Sequence, residues 1–132
     1  MDRIDKILNH DLFLYHLGKN NAAEADRRFC RHSMVHFLDV ARIGTIIALE
    51  EGLKIDREWI YAAALLHDCG KHEQYENGTP HEQASARIAP DILEDCGFDD
   101  KETDVIVTAI SRHRDPEAAK EKNLNGVLYR AD

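Results

Sequence analysis

Apolar residues recur along most of this chain at helical spacing, and no stretch alternates apolar and polar as a half-buried strand would. From Asp2 to about Leu17, Ile4, Ile7 and Leu8 keep an i, i+3, i+4 rhythm that Leu12 and Tyr15 continue. That predicts one or two amphipathic helices, with a break near Asn9-His10-Asp11. Residues 18–28 are polar and alanine-bearing, helix or loop. Residues 29–52 read as a long helix closed by Gly52. Val35, Leu38, Ala41, Ile46, Ala48 and Leu49 are apolar around much of its circumference, which predicts a central, buried helix. Asp56 is a suitable N-cap for the next helix, with Glu58 in the first turn and Trp59, Ile60, Ala63 and Leu66 along it. Residues 73–78 read as a polar loop. Thr79-Pro80-His81-Glu82 then supplies an N-cap, a first-turn proline and a capping box. Pro90 is expected to kink or split that helix, and Gly97 to end it. Asp99 or Asp100 starts another helix, whose buried face is Ile106, Ala109, Ile110 and His113, and Asp115-Pro116 stops it. Residues 117–122 read as charged and solvated, ahead of a last helix carrying Leu124, Val127, Leu128 and Ala131. The pattern predicts an all-α domain.

Composition narrows the partners. The chain has 132 residues, 43% hydrophobic and 32% charged, which suits one globular domain with a real core. A net charge of −8 argues against a nucleic-acid polymer or an anionic membrane surface. It leaves room for a small anionic substrate where metal and nearby Lys or Arg invert the local field. Cys30, Cys69 and Cys96 are odd in number and lack CxxC spacing, so reduced thiols in a cytoplasmic protein are expected. The N-terminus lacks a signal-peptide apolar region, and no apolar run reaches the ~18 residues of a membrane span. The outlier is histidine, with eight residues.

The chemistry gathers around residues 62–71, an apolar helical run that ends in His67-Asp68-Cys69-Gly70-Lys71. Mixed imidazole and carboxylate ligands suit borderline and hard metal ions. Adjacent helical residues point about 100° apart, yet His67 and Asp68 can converge on an ion just beyond the helix end. Gly70 permits the turn there, and Lys71 reaches the same mouth. His36 lies at the edge of a core face continued by Val40, Ile43 and Ile47, and His32 sits one turn before it. His81 shares a stripe with Ser85, Ile88 and Ile92, and His113 ends a buried face. Asp132 follows Leu128 by four, and a carboxylate on that stripe needs a partner. His10 and His16 have neither stripe nor ligand partners and read as surface residues. Each inward residue alone has an ordinary explanation as a hydrogen-bonded core group. Together, His36, His67, Asp68, His81, His113 and Asp132 predict a metal site. Six ligands suit two ions ~3.5–4 Å apart, bridged by Asp68 and a water or hydroxide.

These residues resemble the HD-domain metal-dependent phosphohydrolases. That superfamily's signature is a histidine on an early helix, a His-Asp doublet and a distant aspartate, matched here by His36, His67-Asp68 and Asp132. The local texts His36-Phe37-Leu38-Asp39-Val40-Ala41, Leu65-Leu66-His67-Asp68-Cys69-Gly70-Lys71 and Leu128-Tyr129-Arg130-Ala131-Asp132 also look like the family, from about Arg31 to the end. The resemblance implies a bundle of five to seven helices around the metal. The expected organisation is an N-terminal helical extension over 1–28 and a metal-binding core over about 31–132. More helix is expected to follow Asp132, because a ligand at a chain end frays. His81 and His113 match the two histidines added by binuclear members. The arrangement is similar to bacterial HD-type hydrolases that cut diadenosine tetraphosphate symmetrically, and more distantly to the HD-GYP cyclic-di-GMP phosphodiesterases. There is no Gly-Tyr-Pro motif, and His113-Arg114 stands where HD-GYP enzymes have paired histidines.

The resemblance implies a metal-activated water attacking a small phosphate ester or nucleotide. Iron or manganese fit best, with magnesium, zinc, nickel and cobalt as alternatives. Asp68 and Lys71 are the expected catalytic residues. Lys71 would neutralise developing charge or assist the leaving group; otherwise it is a surface lysine. His32 would be an outer ligand, a proton shuttle or a supporting residue. Arg112 and Arg114 flank His113, and either would contact a substrate phosphate or form a surface ion pair. Two other classes remain: a di-iron oxygenase, and a non-catalytic nucleotide-binding HD domain.

Overall fold

The structure is a computed structural model and describes residues 1–25 and 33–132. It holds α1 (Asp2–Leu8), α2 (Asp11–Ala23), α3 (Met34–Glu50), α4 (Arg57–Leu66), α5 (Lys71–Asn77), α6 (His81–Asp95), α7 (Asp100–Ser111) and α8 (Leu124–Ala131), with a 3-10 turn over Pro116–Lys120. No strand occurs among the described residues. Six of these helices, α3 to α8, form the bundle that carries the site, within the five to seven expected.

The central helix is α4, not α3. Ile60 and all of Ala62, Ala63, Ala64, Leu65 and Leu66 are buried, and α4 meets α1, α3, α6, α7 and α8. Helix α3 buries Phe37, Val40, Ala41, Gly44 and Ala48 but leaves Val35, Ile43, Ile46 and Leu49 exposed. An apolar residue on the outer face of a peripheral helix is common enough that periodicity alone overstated this helix's burial. The predicted start at Phe29 lies outside the described residues.

The expected break near Asn9-His10-Asp11 is real, and His10 makes it. Its Nδ1 accepts from the N–H of Leu12 at 3.1 Å, capping α2, while Nε2 lies 2.8 Å from Asp95. His16, unlike the half-buried His10, is not a surface residue. It is buried, with Nδ1 2.8 Å from Nε2 of His72. Its partner sits on helix α5, which takes up most of the 73–78 stretch read as a loop and is ended by Gly78 at φ 80°. The reason it escaped detection is that α5 docks through polar groups. His16, Asn20 and Glu24 follow each other at i, i+4, i+8 on the α2 side, and all three are buried. The Asn20 amide donates to the carbonyl of Asp68 at 2.9 Å and accepts from the N–H of His72 at 2.8 Å. The Tyr75 hydroxyl donates to Glu24 at 2.7 Å.

Helix α6 begins at His81 with Pro80 as its N-cap and no side-chain cap; Thr79 donates to Asn77 instead. Pro90 neither splits nor ends α6. Burial of Ile88 and Ala89 before it, and of Ile92 and Leu93 after it, holds both halves in the core. Asp99 and Glu102 form the capping box of α7. The stretch expected to be solvated is the 3-10 turn, with Ala118 fully buried.

Gly70 is needed for a different reason from the one its position suggests. Its φ of −95° and ψ of 12° are open to any residue. A Cβ there would lie 2.7 Å from the Ala84 Cβ and 2.8 Å from the Ser85 nitrogen. The Gly70 N–H also donates to the Ser85 hydroxyl at 2.9 Å. Glycine therefore brings the His67-Asp68 turn into contact with α6. Gly70→Ala is expected to destabilise the fold by about 1–3 kcal/mol, in the range for overpacking, as a lower urea midpoint at unchanged m-value.

Candidate metal centre

Helix α4 ends at Leu66, and His67 and Asp68 form the buried turn that leads into α5. His67 Nδ1 lies 2.6 Å from the carbonyl of Ala64, and His113 Nδ1 lies 2.7 Å from that of Ile110. A carbonyl only accepts, so in both rings Nδ1 carries the hydrogen and Nε2 faces inward. His81 Nδ1 is 2.7 Å from the Gln74 Oε1, which turns its Nε2 inward too.

Asp68 divides the donors into two groups. Its Oδ1 lies 3.4 Å from His81 Nε2 and 3.3 Å from His113 Nε2. Its Oδ2 lies 3.2 Å from His67 Nε2 and 3.8 Å from His36 Nε2. Asp132 Oδ1 completes the second group, 3.2 Å from both His36 and His67. Within each group all ligand atoms lie within 4.8 Å of one another. The six inward residues expected from the sequence, set on α3, the α4–α5 turn, α6, the end of α7 and the end of α8, thus come together. His32 lies outside the described residues.

The donor chemistry fits a cation. His81 Nε2 and His113 Nε2 are 3.1 Å apart. With hydrogen on Nδ1 in both, two lone pairs face each other beside a carboxylate oxygen. Such an arrangement repels itself unless an electron-pair acceptor lies between, and Nδ1–H bonds to carbonyls are how proteins orient metal-binding imidazoles.

Without a cation the two carboxylates hold a proton on His67. Burial opposes charge on His67, but Asp68 and Asp132 outweigh it and raise its pKa to about 10. Burial likewise works against ionised Asp68 and Asp132, yet the facing histidines hold both below the usual carboxylate range. His81 goes the other way: burial, aided by Lys71 and His113 against the pull of Asp68, lowers it to about 4. Burial pushes the Cys69 thiol up to about 12, which makes it a packing residue rather than a thiolate.

The sign of the pH effect follows. Ion-free His67 keeps its proton up to pH about 10, so a cation entering at neutral pH must displace it. Apparent affinity is expected to rise by about tenfold per pH unit for each proton released. Chelator competition at pH 6, 7 and 8 checks this, and a flat profile would rule it out.

The HD domain family model matches residues 34–132. The chain belongs to the HD-domain family. All six inward residues of this HD domain fall inside the matched span, while α1 and α2 precede it. An uncharacterized protein of Clostridium beijerinckii is 47% identical over 132 residues, all of this chain and 82% of that protein. The crystal structure of a predicted HD superfamily hydrolase from an uncultured Thermotogales bacterium is similar, with a TM-score of 0.68 and 26% identity. The match covers 89% of this chain, which spans 64% of that structure's length. The HD fold and its His/Asp cluster are those of a hydrolase-like, metal-binding domain.

Three cations were expected near the centre, and the structure separates them. Lys71 Nζ lies 3.3 Å from His81 Nδ1 and 5.7 Å from the Tyr75 ring centre. Arg114 lines a cavity of about 380 Å³ with His113, Pro116, Tyr129 and Asp132. Arg112 instead pairs with Asp115 at 3.1 Å and with Glu121. Sequence reading missed Gln74, Asn20 and Tyr129. No signal marked the first two, since the elements they join meet through polar contacts. No described helix is long and apolar enough to cross a membrane.

Proposed function

We propose that this HD domain is a metal-dependent phosphohydrolase acting on a small phosphate ester or nucleotide. The observation that carries the reading is the division of donors by Asp68, one carboxylate oxygen toward each of two ligand groups. In this reading His36, His67, Asp68 and Asp132 hold one ion, and Asp68, His81 and His113 hold the other. Iron or manganese matches the four-imidazole set better than magnesium, which prefers oxygen; zinc, nickel and cobalt share the nitrogen preference. Bound cations would polarise the phosphoryl oxygens and bring a coordinated water's pKa toward neutrality.

The chain supplies the rest. Asp68 and Asp132 would hold the ions as ionised carboxylates, which the facing histidines keep below the usual carboxylate range. Lys71 places a positive charge beside His81, where negative charge develops on the phosphoryl group. Arg114 and Tyr129 line the adjoining cavity, sized for one small anion and its substituent. Arg112 is committed to Asp115 and Glu121 and plays no part in binding. A net charge of −8 favours a small substrate over a polymer, the local cations making the exception at this mouth. Free, buried Cys69 and Cys96 suit a reducing, cytoplasmic setting.

Four imidazoles around iron also suit oxygen chemistry, so the test separates the two. Protein purified without chelator or affinity metal is analysed for bound metal, then given a panel of phosphomonoesters, phosphodiesters and nucleotides with and without oxygen. Phosphate release at the same rate in both atmospheres is the expected result. Oxygen consumption coupled to substrate oxidation, with no phosphate released, would make this an oxygenase.

A further inference from the structure

Three buried histidines present Nε2 toward Asp68, and two of them take their orientation from their own backbone. His67 and His113 each follow the end of a helix, and their Nδ1–H groups reach the carbonyls three residues back, at Ala64 and Ile110. His81 has no such partner. It is the first residue of α6, so the residue three before it, Gly78, lies outside that helix. Gln74 of α5 fills the role. Its Oε1 lies 2.7 Å from His81 Nδ1 and 3.1 Å from the His81 backbone nitrogen. A backbone N–H only donates, which identifies the facing amide atom as oxygen and requires Nδ1 to donate as well.

A competitor stands beside it. Lys71, one turn earlier on the same helix, has Nζ 3.3 Å from the same Nδ1. An ammonium has no acceptor, so it bonds Nδ1 only when that nitrogen carries no hydrogen. Lys71 therefore favours the opposite tautomer, with hydrogen on Nε2. In that tautomer His81 points an N–H at Asp68 and cannot ligate a cation. Two residues of α5 thus pull His81 toward opposite tautomers, and the two hydrogen bonds to Gln74 decide the outcome.

We propose that Gln74 is the positioning residue that keeps His81 ligand-competent, and so governs occupancy of the Asp68–His81–His113 group while leaving the His36–His67–Asp68–Asp132 group intact. This rests on the two-ion reading above. Gln74 is half-buried and its substitution removes no core packing, so the variants are expected to fold with ion-free melting curves like the parent.

Manganese(II) alone is the probe, titrated into ion-free full-length protein and read by metal stoichiometry and electron paramagnetic resonance. The parent is expected to bind two ions with a spin-coupled spectrum. Gln74→Met should keep one tight ion, weaken the second by about 10–100-fold, the usual cost of losing a ligand's hydrogen-bond partner, and show the isolated-ion spectrum. Gln74→Glu restores an acceptor and should retain both ions. Gln74→Met combined with Lys71→Met removes the competitor as well, and should recover part of the second site, which a merely structural role would not do. Ring nitrogen shifts of His81 in the ion-free proteins should show hydrogen on Nδ1 in the parent and on Nε2 in Gln74→Met. A parent that binds only one ion would defeat the two-ion reading itself. A parent binding two and a Gln74→Met variant also binding two at unchanged affinity, or losing both, would overturn the role assigned to Gln74.

Discussion

Asp68→Ala is expected to yield a folded protein that retains neither ion and has no phosphohydrolase activity above background. Asp68 is the residue common to both ligand groups, one carboxylate oxygen to each. Losing a ligand's hydrogen-bond partner costs about 10–100-fold in metal affinity. Losing a shared direct ligand should cost more, about 10³-fold or beyond at both groups. His36→Ala is the contrast. His36 belongs to one group and its side chain is 34% exposed, so water can take its place and the second group should stay filled. Breaking a buried ion pair costs about 3–5 kcal/mol when the remaining charge stays unpaired. Here His67 can release its proton or keep Asp132 at 3.2 Å, which limits the penalty. The Asn20 bond to the residue 68 carbonyl is also untouched, since it needs only backbone. Metal content, melting temperature and phosphate release measured on the same preparation decide the matter. Full activity or a full metal complement in Asp68→Ala would remove the site from consideration.

What the sequence revealed and what it hid differ by the kind of contact involved. Helix α4 was legible because burial of Ala62 through Leu66 leaves an uninterrupted apolar run. His113 and Asp132 were legible because each continues the apolar stripe of its own helix onto a core-facing position. Helix α5 was not, because its partners on α2 are His16, Asn20 and Glu24, and polar-to-polar burial leaves no hydrophobic period. His16 was misplaced for the same reason, its partner being on that unseen helix. Gly70 was singled out correctly but explained by a turn, whereas close approach of Ala84 and Ser85 is what excludes a side chain. Arg112 and Arg114 were indistinguishable by spacing. Their fates were decided by Glu121, which the 3-10 turn brings beside Arg112.

Lys71→Met should lower kcat by about 10²-fold, leave KM nearly unchanged, and leave both ions in place. A cation aimed at developing charge acts mainly in the transition state, and removing one such group typically costs about 10²–10³ in kcat. The methionine keeps the aliphatic bulk of the side chain, so packing beside the Tyr75 ring is preserved. His81 should lose nothing, because Gln74 still accepts its Nδ1–H. Arg114→Ala should behave differently, raising KM by about tenfold with kcat largely kept, as expected for a residue that lines the substrate cavity without facing His81. Arg112→Ala should change neither constant, its guanidinium being held by Asp115 and Glu121. The three variants therefore sort by kinetic signature: chemistry for Lys71, binding for Arg114, neither for Arg112. Steady-state kinetics with metal analysis on each protein tests the ordering. If Lys71→Met lost an ion together with its activity, the lysine would be supporting the ligand shell, and the transition-state charge would have to be met by Arg114 alone.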